Sequence, residues 1–127
     1  MRTVMRTEAQ VTPDIVKPCR YDGVMSERIV QLTKLRDADP NDPFLTYGLA
    51  MEHSKAGDYD DAIRWFDMTI ELDAQYCYAY YQKAKALSMK GEDEAACEVI
   101  RQGIGVAKQA GDGHAASELA ELLSSLE

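Results

Sequence analysis

The chain has 127 residues, 14 of them basic and 22 acidic, for a formal net charge of −8. That length leaves no room for two hydrophobic cores, so one domain is expected. A surface of that sign repels phosphate backbones, so no nucleic acid partner is expected; the charge reads first as a solvated surface, although acidic patches could attract a basic peptide. No apolar run approaches the roughly 20 residues of a membrane helix, so no membrane partner is expected. Met1–Gln10 has charge but no apolar centre, so it does not read as a secretory signal. Cys19, Cys77 and Cys97 are odd in number and far apart, which suits reduced thiols and a cytoplasmic location.

Residues 1–24 carry a charge of +1 and the remaining 103 carry −9. The first stretch has no period, few large apolar groups, and Pro13, Pro18 and Gly23, so it reads as a disordered extension. Met25 directly precedes Ser26, a good N-cap; a translation start at Met25 is therefore an expectation that the intact mass of the native protein decides. The first predicted helix spans 26–37, with Ile29, Val30, Leu32 and Leu35 on one side. Asp37-Ala38-Asp39-Pro40-Asn41 then makes a turn.

From Asp42 to Arg101 the chain matches itself at a shift of 34 residues. Gly57 falls on Gly91, Ala62 on Ala96, Ala50 on Ala84, Tyr47 on Tyr81 and Phe44 on Tyr78. A fixed period of this length means stacked supersecondary units. In the first unit Asp42-Pro43 opens a helix and Gly57 closes it, because a left-handed backbone is cheap only for glycine. Asp58 then caps a second helix carrying Ala62, Ile63, Phe66, Ile70 and Leu72 at helical spacing. The second unit repeats this with Tyr78, Tyr81, Ala84 and Leu87, then Gly91, then Ala96, Cys97, Ile100 and Ile104. The four alanines mark where paired helices approach closest, and larger side chains there would cost roughly 1–3 kcal/mol each. Cys97 reads as a small apolar filler. Gly103 would permit close helix approach, whereas Gly105 predicts fraying or a bend. Gly111-Asp112-Gly113 breaks the chain, and 114–126 forms a last helix with Ala115, Leu119 and Leu122 facing inward.

These residues resemble the tetratricopeptide repeat. The resemblance is carried by Leu49-Ala50, Gly57-Asp58-Tyr59-Asp60-Asp61-Ala62, Phe66 and Ile70-Glu71-Leu72-Asp73 in 43–76. In 77–110 it is carried by Ala79-Tyr80-Tyr81, Ala84, Leu87, Gly91-Glu92, Ala95-Ala96 and Ile100. Thr46 stands where the family usually has Trp, His53 where it often has Tyr, Lys83 at a usual Leu, Ala74 at a usual Pro and Gly103 at a usual Ala. Tyr80 occupies the Trp position of the second unit and is expected in the core. The resemblance implies an all-α fold: a short right-handed α-solenoid of antiparallel helix pairs. It consists of two repeats, 43–76 and 77–110, with capping helices 26–37 and 114–126, in a domain spanning 25–127.

In the family the first helix of each repeat lines a concave face. Carried over, this gives a peptide-binding groove of Phe44, Tyr47, Met51 and Lys55 from the first repeat, with Gly48 beside them. Tyr78, Tyr81, Gln82, Lys85 and Met89 come from the second. Aromatic and Met side chains suit such a surface, offering large area at low entropy cost, and Lys85 could meet a carboxylate or carbonyl. The family subset that clamps a C-terminal carboxylate with Lys and Asn is disfavoured, because those positions hold Tyr47, Met51 and Gln82.

The residues offer little to catalysis. His53 reads as a core residue and His114 as a helix start; no paired ligand spacing and no Gly-rich phosphate loop occurs. The carboxylates are expected on solvent faces. No enzyme activity, cofactor or metal is therefore expected. The expected function is a non-catalytic protein–protein interaction module that binds a peptide or helix of an unknown partner. The alternatives are a scaffold that self-associates as a homodimer through its groove or an end helix, and occupation of the groove by residues 1–24.

Overall fold

The computed structural model describes residues 23–127, with side chains from residue 27 onward. Six helices follow one another in this region: α1 (Gly23–Ala38), α2 (Pro43–Lys55), α3 (Tyr59–Leu72), α4 (Cys77–Met89), α5 (Asp93–Ala110) and α6 (Gly113–Leu126). The expected disorder of 1–24 concerns mostly residues outside this range. Where the two overlap the reading changes: α1 begins at Gly23, so Ser26 lies inside the helix rather than capping it.

The period is set by the turns. Gly57, Gly91 and Gly111 have φ of 83°, 88° and 76°. At each, the residue after the glycine donates its N–H five residues back: Asp58 to His53 O (2.9 Å), Glu92 to Leu87 O (2.9 Å) and Asp112 to Ala107 O (2.8 Å). The glycine N–H itself bonds three residues back, which satisfies the last carbonyls of the helix. Starts are less uniform. Asp42 accepts from Phe44 N at 2.9 Å and Asp112 from Ala115 N at 3.0 Å. Asp58 stands at the N-cap of α3 but its side chain makes no capping bond, contrary to expectation; it is buried and shares the turn with His53 and Asp61.

Neighbouring helices pack in sequence, α1 on α2, α2 on α3, and so on to α6. Beyond that, the α4 backbone comes close to both α2 and α6, whereas the α3 and α5 backbones stay farther apart. The layer of α2, α4 and α6 is thus the tight inner one and α3 and α5 are splayed outside it, which is the curvature of a short all-α solenoid. Ala50, Ala62, Ala84 and Ala96 are fully buried, as close helix approach requires. Phe66, Leu49, Ile100 and Leu119 supply the bulk around them. Cys97 and Tyr80 are buried, and the Tyr80 hydroxyl donates to Ala74 O at 3.0 Å, bridging the turn where the family usually has proline.

Gly103 sits directly against Tyr80: a Cβ there would lie 2.8 Å from Tyr80 Cβ and 3.2 Å from Leu119 Cδ1. Gly105 has nothing near it, and α5 runs through it as one helix to Ala110 rather than fraying there. Lys83, at a usual Leu position, reaches Asp67 of α3 at 2.6 Å. The expected apolar side of α1 is only half used. Leu32 packs against Gly48, while Val30 and Leu35 remain about half exposed because α1 has no repeat partner helix on that side among the described residues. Arg36 also lies over Trp65 of α3, 5.0 Å from the ring centroid.

Candidate functional site

The inner layer carries the residues expected in a groove, and the structure sorts them into three groups. Tyr78, Tyr81 and Gln82 lie on one face of α4 and line a cleft of about 390 Å3 against α6, whose Glu118, Glu121 and Leu122 form the opposite wall. The Tyr78 and Tyr81 rings meet edge to face at 6.5 Å, and Lys85 Nζ lies 5.7 Å from the Tyr81 centroid. Spacings of three and four residues put all four side chains on a single helical stripe.

Tyr47 and Met51 form the second group. Both pack against the buried cluster of Ala50, Ala62, Phe66 and Ala79. The Tyr47 ring stacks on Tyr76 at 5.0 Å and meets Phe66 edge-on at 5.8 Å. Partial burial raises the Tyr47 hydroxyl pKa above its ordinary value, Tyr76 adds to the rise, and hydrogen bonding to Gln82 offsets part of it. Tyr47 is therefore half core and half surface, and Gln82 links it to the α4 stripe.

The third group stands apart. Phe44 is 67% exposed and Met89 is 66% exposed, at the start of α2 and the end of α4. The Lys55 ammonium, itself largely exposed, lies 3.5 Å from Glu52, which also receives Arg28 of α1 at 3.5 Å. Beside Gly48 stands Leu32 of α1, 3.4 Å from where a Cβ would lie.

Two features escaped sequence reasoning. Glu52 and Asp58 are buried, at 4% and 6% exposure, although the carboxylates were expected on solvent faces. Glu52 is held there by the two cations just named. Asp58, His53 and Asp61 have donor atoms within 4.8 Å of one another, a set that could hold a metal ion. Its signal was legible as His and two Asp flanking the Gly57 turn, but neither a paired-histidine nor a paired-cysteine search finds it. Asp61 also pairs with Arg64, so a cation already serves that carboxylate.

The second feature is α6 as a wall. Glu118 faces Tyr78 across the cleft, and its Oε2 lies 3.0 Å from His114 Nε2. Partial desolvation and then the Glu118 and Asp112 carboxylates hold the Tyr78 pKa above its ordinary value. Nothing in the repeat period points to Glu118, because α6 follows the repeats.

The comparisons with known proteins fit this geometry. A tetratricopeptide repeat domain protein from Salinibacter ruber, solved by solution NMR, is 34% identical over 70% of this chain and 90% of its own, with a TM-score of 0.66. The chain belongs to the tetratricopeptide repeat family. More distant repeats of this kind share the fold. The TPR2B domain of yeast Sti1, solved in complex with pHsp70, is 21% identical over 81% of this chain and 82% of its own, with a TM-score of 0.76. The type III secretion chaperone SycD of Yersinia enterocolitica, in complex with a peptide of the translocator YopD, is 19% identical over 82% of this chain and 80% of its own, with a TM-score of 0.72. No family model matches the sequence, and no curated protein matches it either. Among the described residues, no helix of this tetratricopeptide repeat protein is long and apolar enough to cross a membrane.

Proposed function

We infer that the protein is a non-catalytic interaction module that binds a peptide or helix of a partner protein along the inner face of α2, α4 and α6. The observation that carries this is the α4 stripe: Tyr78 and Tyr81, half-buried with one side against the core, line a cleft with Gln82, with Lys85 beside them and the exposed Met89 one turn on. Large, rigid aromatic side chains in a concave position are the usual energetic centres of protein recognition. The two distant relatives with bound partners, Sti1 with pHsp70 and SycD with a YopD peptide, support the same use of this fold. The full groove in this reading comprises Phe44, Tyr47, Met51, Lys55, Tyr78, Tyr81, Gln82, Lys85 and Met89, within a repeat domain spanning 25–127. A cytoplasmic partner fits the reduced cysteines, of which Cys77 and Cys97 are buried and free.

Site-specific photo-crosslinking tests this. A crosslinker at Lys85 or Met89, on the inner layer, is compared with one at Gln102 or Glu98, exposed on α5. Partner adducts from the inner positions alone are the expected result. Adducts from the outer positions alone refute the groove. An adduct of twice the chain mass from the inner positions would instead support self-association, for which the exposed Val30 and Leu35 of α1 offer a second surface.

A further inference from the structure

We propose that the cleft between α4 and α6 is a subsite for the cationic side chain, arginine or lysine, of the bound partner. This deepens the groove reading and rests on it.

The walls have the chemistry such a side chain needs. One wall presents two tyrosine rings, set edge to face at 6.5 Å. A cation is attracted to the negative face of an aromatic ring, and more strongly when partly removed from water. The Tyr81 ring already draws one: Lys85 Nζ lies 5.7 Å from its centroid. The other wall presents Glu118 and Glu121, one helical turn apart, and among the described residues no lysine or arginine lines the cleft. On the same wall Leu122 offers an apolar patch for the methylene stem that arginine and lysine bury while their charged heads stay polar.

Glu118 is also held in place before any ligand arrives. Its Oε2 lies 3.0 Å from His114 Nε2 within α6, and it stands across the cleft from the Tyr78 ring. A pre-positioned carboxylate spends less entropy on ordering when it receives a guanidinium or ammonium, and charge-assisted hydrogen bonds are the strong ones. The arrangement has the opposite polarity to a carboxylate clamp: the chain offers acid and aromatic surface, so the complementary group is a base. The net charge of −8 adds a long-range attraction for a basic segment.

The test uses the full chain and a defined probe, N-acetyl-arginine methylamide, followed by two-dimensional 15N NMR. The neutral analogue N-acetyl-citrulline methylamide and the acidic N-acetyl-glutamate methylamide serve as controls. The expected result is a saturable shift confined to Tyr78, Tyr81, Gln82, Glu118, Glu121 and Leu122, absent with citrulline and weakened by added salt. Glu118→Gln and Glu121→Gln together should weaken it by about fivefold to tenfold, the loss of charge-assisted partners. Glu98→Gln, an exposed acid on α5, should leave it unchanged. Equal shifts with citrulline or glutamate, shifts scattered over all acidic residues, or no shift at all would overturn the proposal. Because neither Glu118 nor Glu121 is buried, both variants should keep the native amide spectrum. If the arginine probe fails while inner-face crosslinks to a partner persist, the subsite is wrong and the groove stands. If both fail, the groove is wrong as well.

Discussion

The two repeats solve one packing problem in opposite ways. At the position where the family usually has Trp, the first repeat has Thr46 and the second Tyr80; facing them, 34 residues apart again, are Thr69 and Gly103. In the first repeat the two hydroxyls lie 2.7 Å apart and are fully buried. Thr46 Oγ1 also lies 2.9 Å from Pro43 O, and Thr69 Oγ1 2.9 Å from Trp65 O. Two hydroxyl hydrogens serve three contacts, so one hydroxyl donates across the pair while the other donates to its own helix. In the second repeat a large ring fills the same space, and its neighbour has shrunk to glycine so that α4 and α5 can close over it. One repeat closes through a polar pair of medium side chains and the other through a ring on a bare backbone. The volume is shared differently, and the helix spacing is kept.

High pH should break both solutions at once. Burial raises the hydroxyl pKa of Tyr47, Tyr76 and Tyr80 above the ordinary value, with neighbouring groups adding to each rise. A tyrosine raised on folding favours the folded chain while it is neutral, so that stability is complete below about pH 10 and drains away as pH climbs through the folded values. The midpoint of thermal unfolding should fall steeply above about pH 10. Phenolate absorbance at 295 nm should grow in step with loss of helical circular dichroism; phenolate appearing in full before any helix is lost would show that these rings are not coupled to the fold.

Gly103→Ala attacks the second repeat alone. The new methyl meets Tyr80 Cβ, which cannot swing aside as a side-chain tip can, so a cost of about 2 kcal/mol is expected despite the better helix propensity of alanine. Thermal denaturation should register this as a fall of roughly 7–9 °C. An unchanged midpoint would mean that α4 and α5 can separate freely.

Thr46→Val attacks the first repeat. It deletes one buried hydroxyl and should cost about 1 kcal/mol, as should Thr69→Val. The double variant Thr46→Val/Thr69→Val should cost less than the sum, because both polar partners leave together. Additive losses in denaturant titrations would show that the two hydroxyls act only on their own helices. The smallest effect sharpens the glycine comparison: Gly105→Ala, two residues from Gly103 but facing open space, should gain about 0.5–1 kcal/mol.

Much of this was legible in the sequence wherever a residue's environment is set by its own turn or by its counterpart in the other repeat. Gly57 and Gly91 read as left-handed stops because helical spacing ends there, and both adopt positive φ. Ala50, Ala62, Ala84 and Ala96 read as contact points because smallness recurs at a fixed period. Gly105 misled for a local reason: propensity weighs against it, but helix on either side carries α5 through. Val30 and Leu35 misled for a distant one, since helical spacing identifies an apolar face without saying whether a neighbour covers it.

The candidate site divides the same way. The stripe of Tyr78, Tyr81, Gln82 and Lys85 followed from helical spacing and the resemblance to the family. Its opposite wall did not, because α6 lies outside the repeats and its rotation about its own axis fixes which residues meet α4. That α1 meets the α2 residues near Lys55 and Gly48, through Arg28 on Glu52 and through Leu32, was likewise not legible in the repeat period. The sequence by itself determined the period, the helix ends, the small contact residues and the family. Only the tertiary structure decided which acids are buried, which tyrosines are half core, and that Glu118 and Glu121 face the α4 aromatics. The physical reason is that backbone periodicity is a local property, whereas burial and electrostatic pairing depend on how separate helices rotate and cross once they are packed.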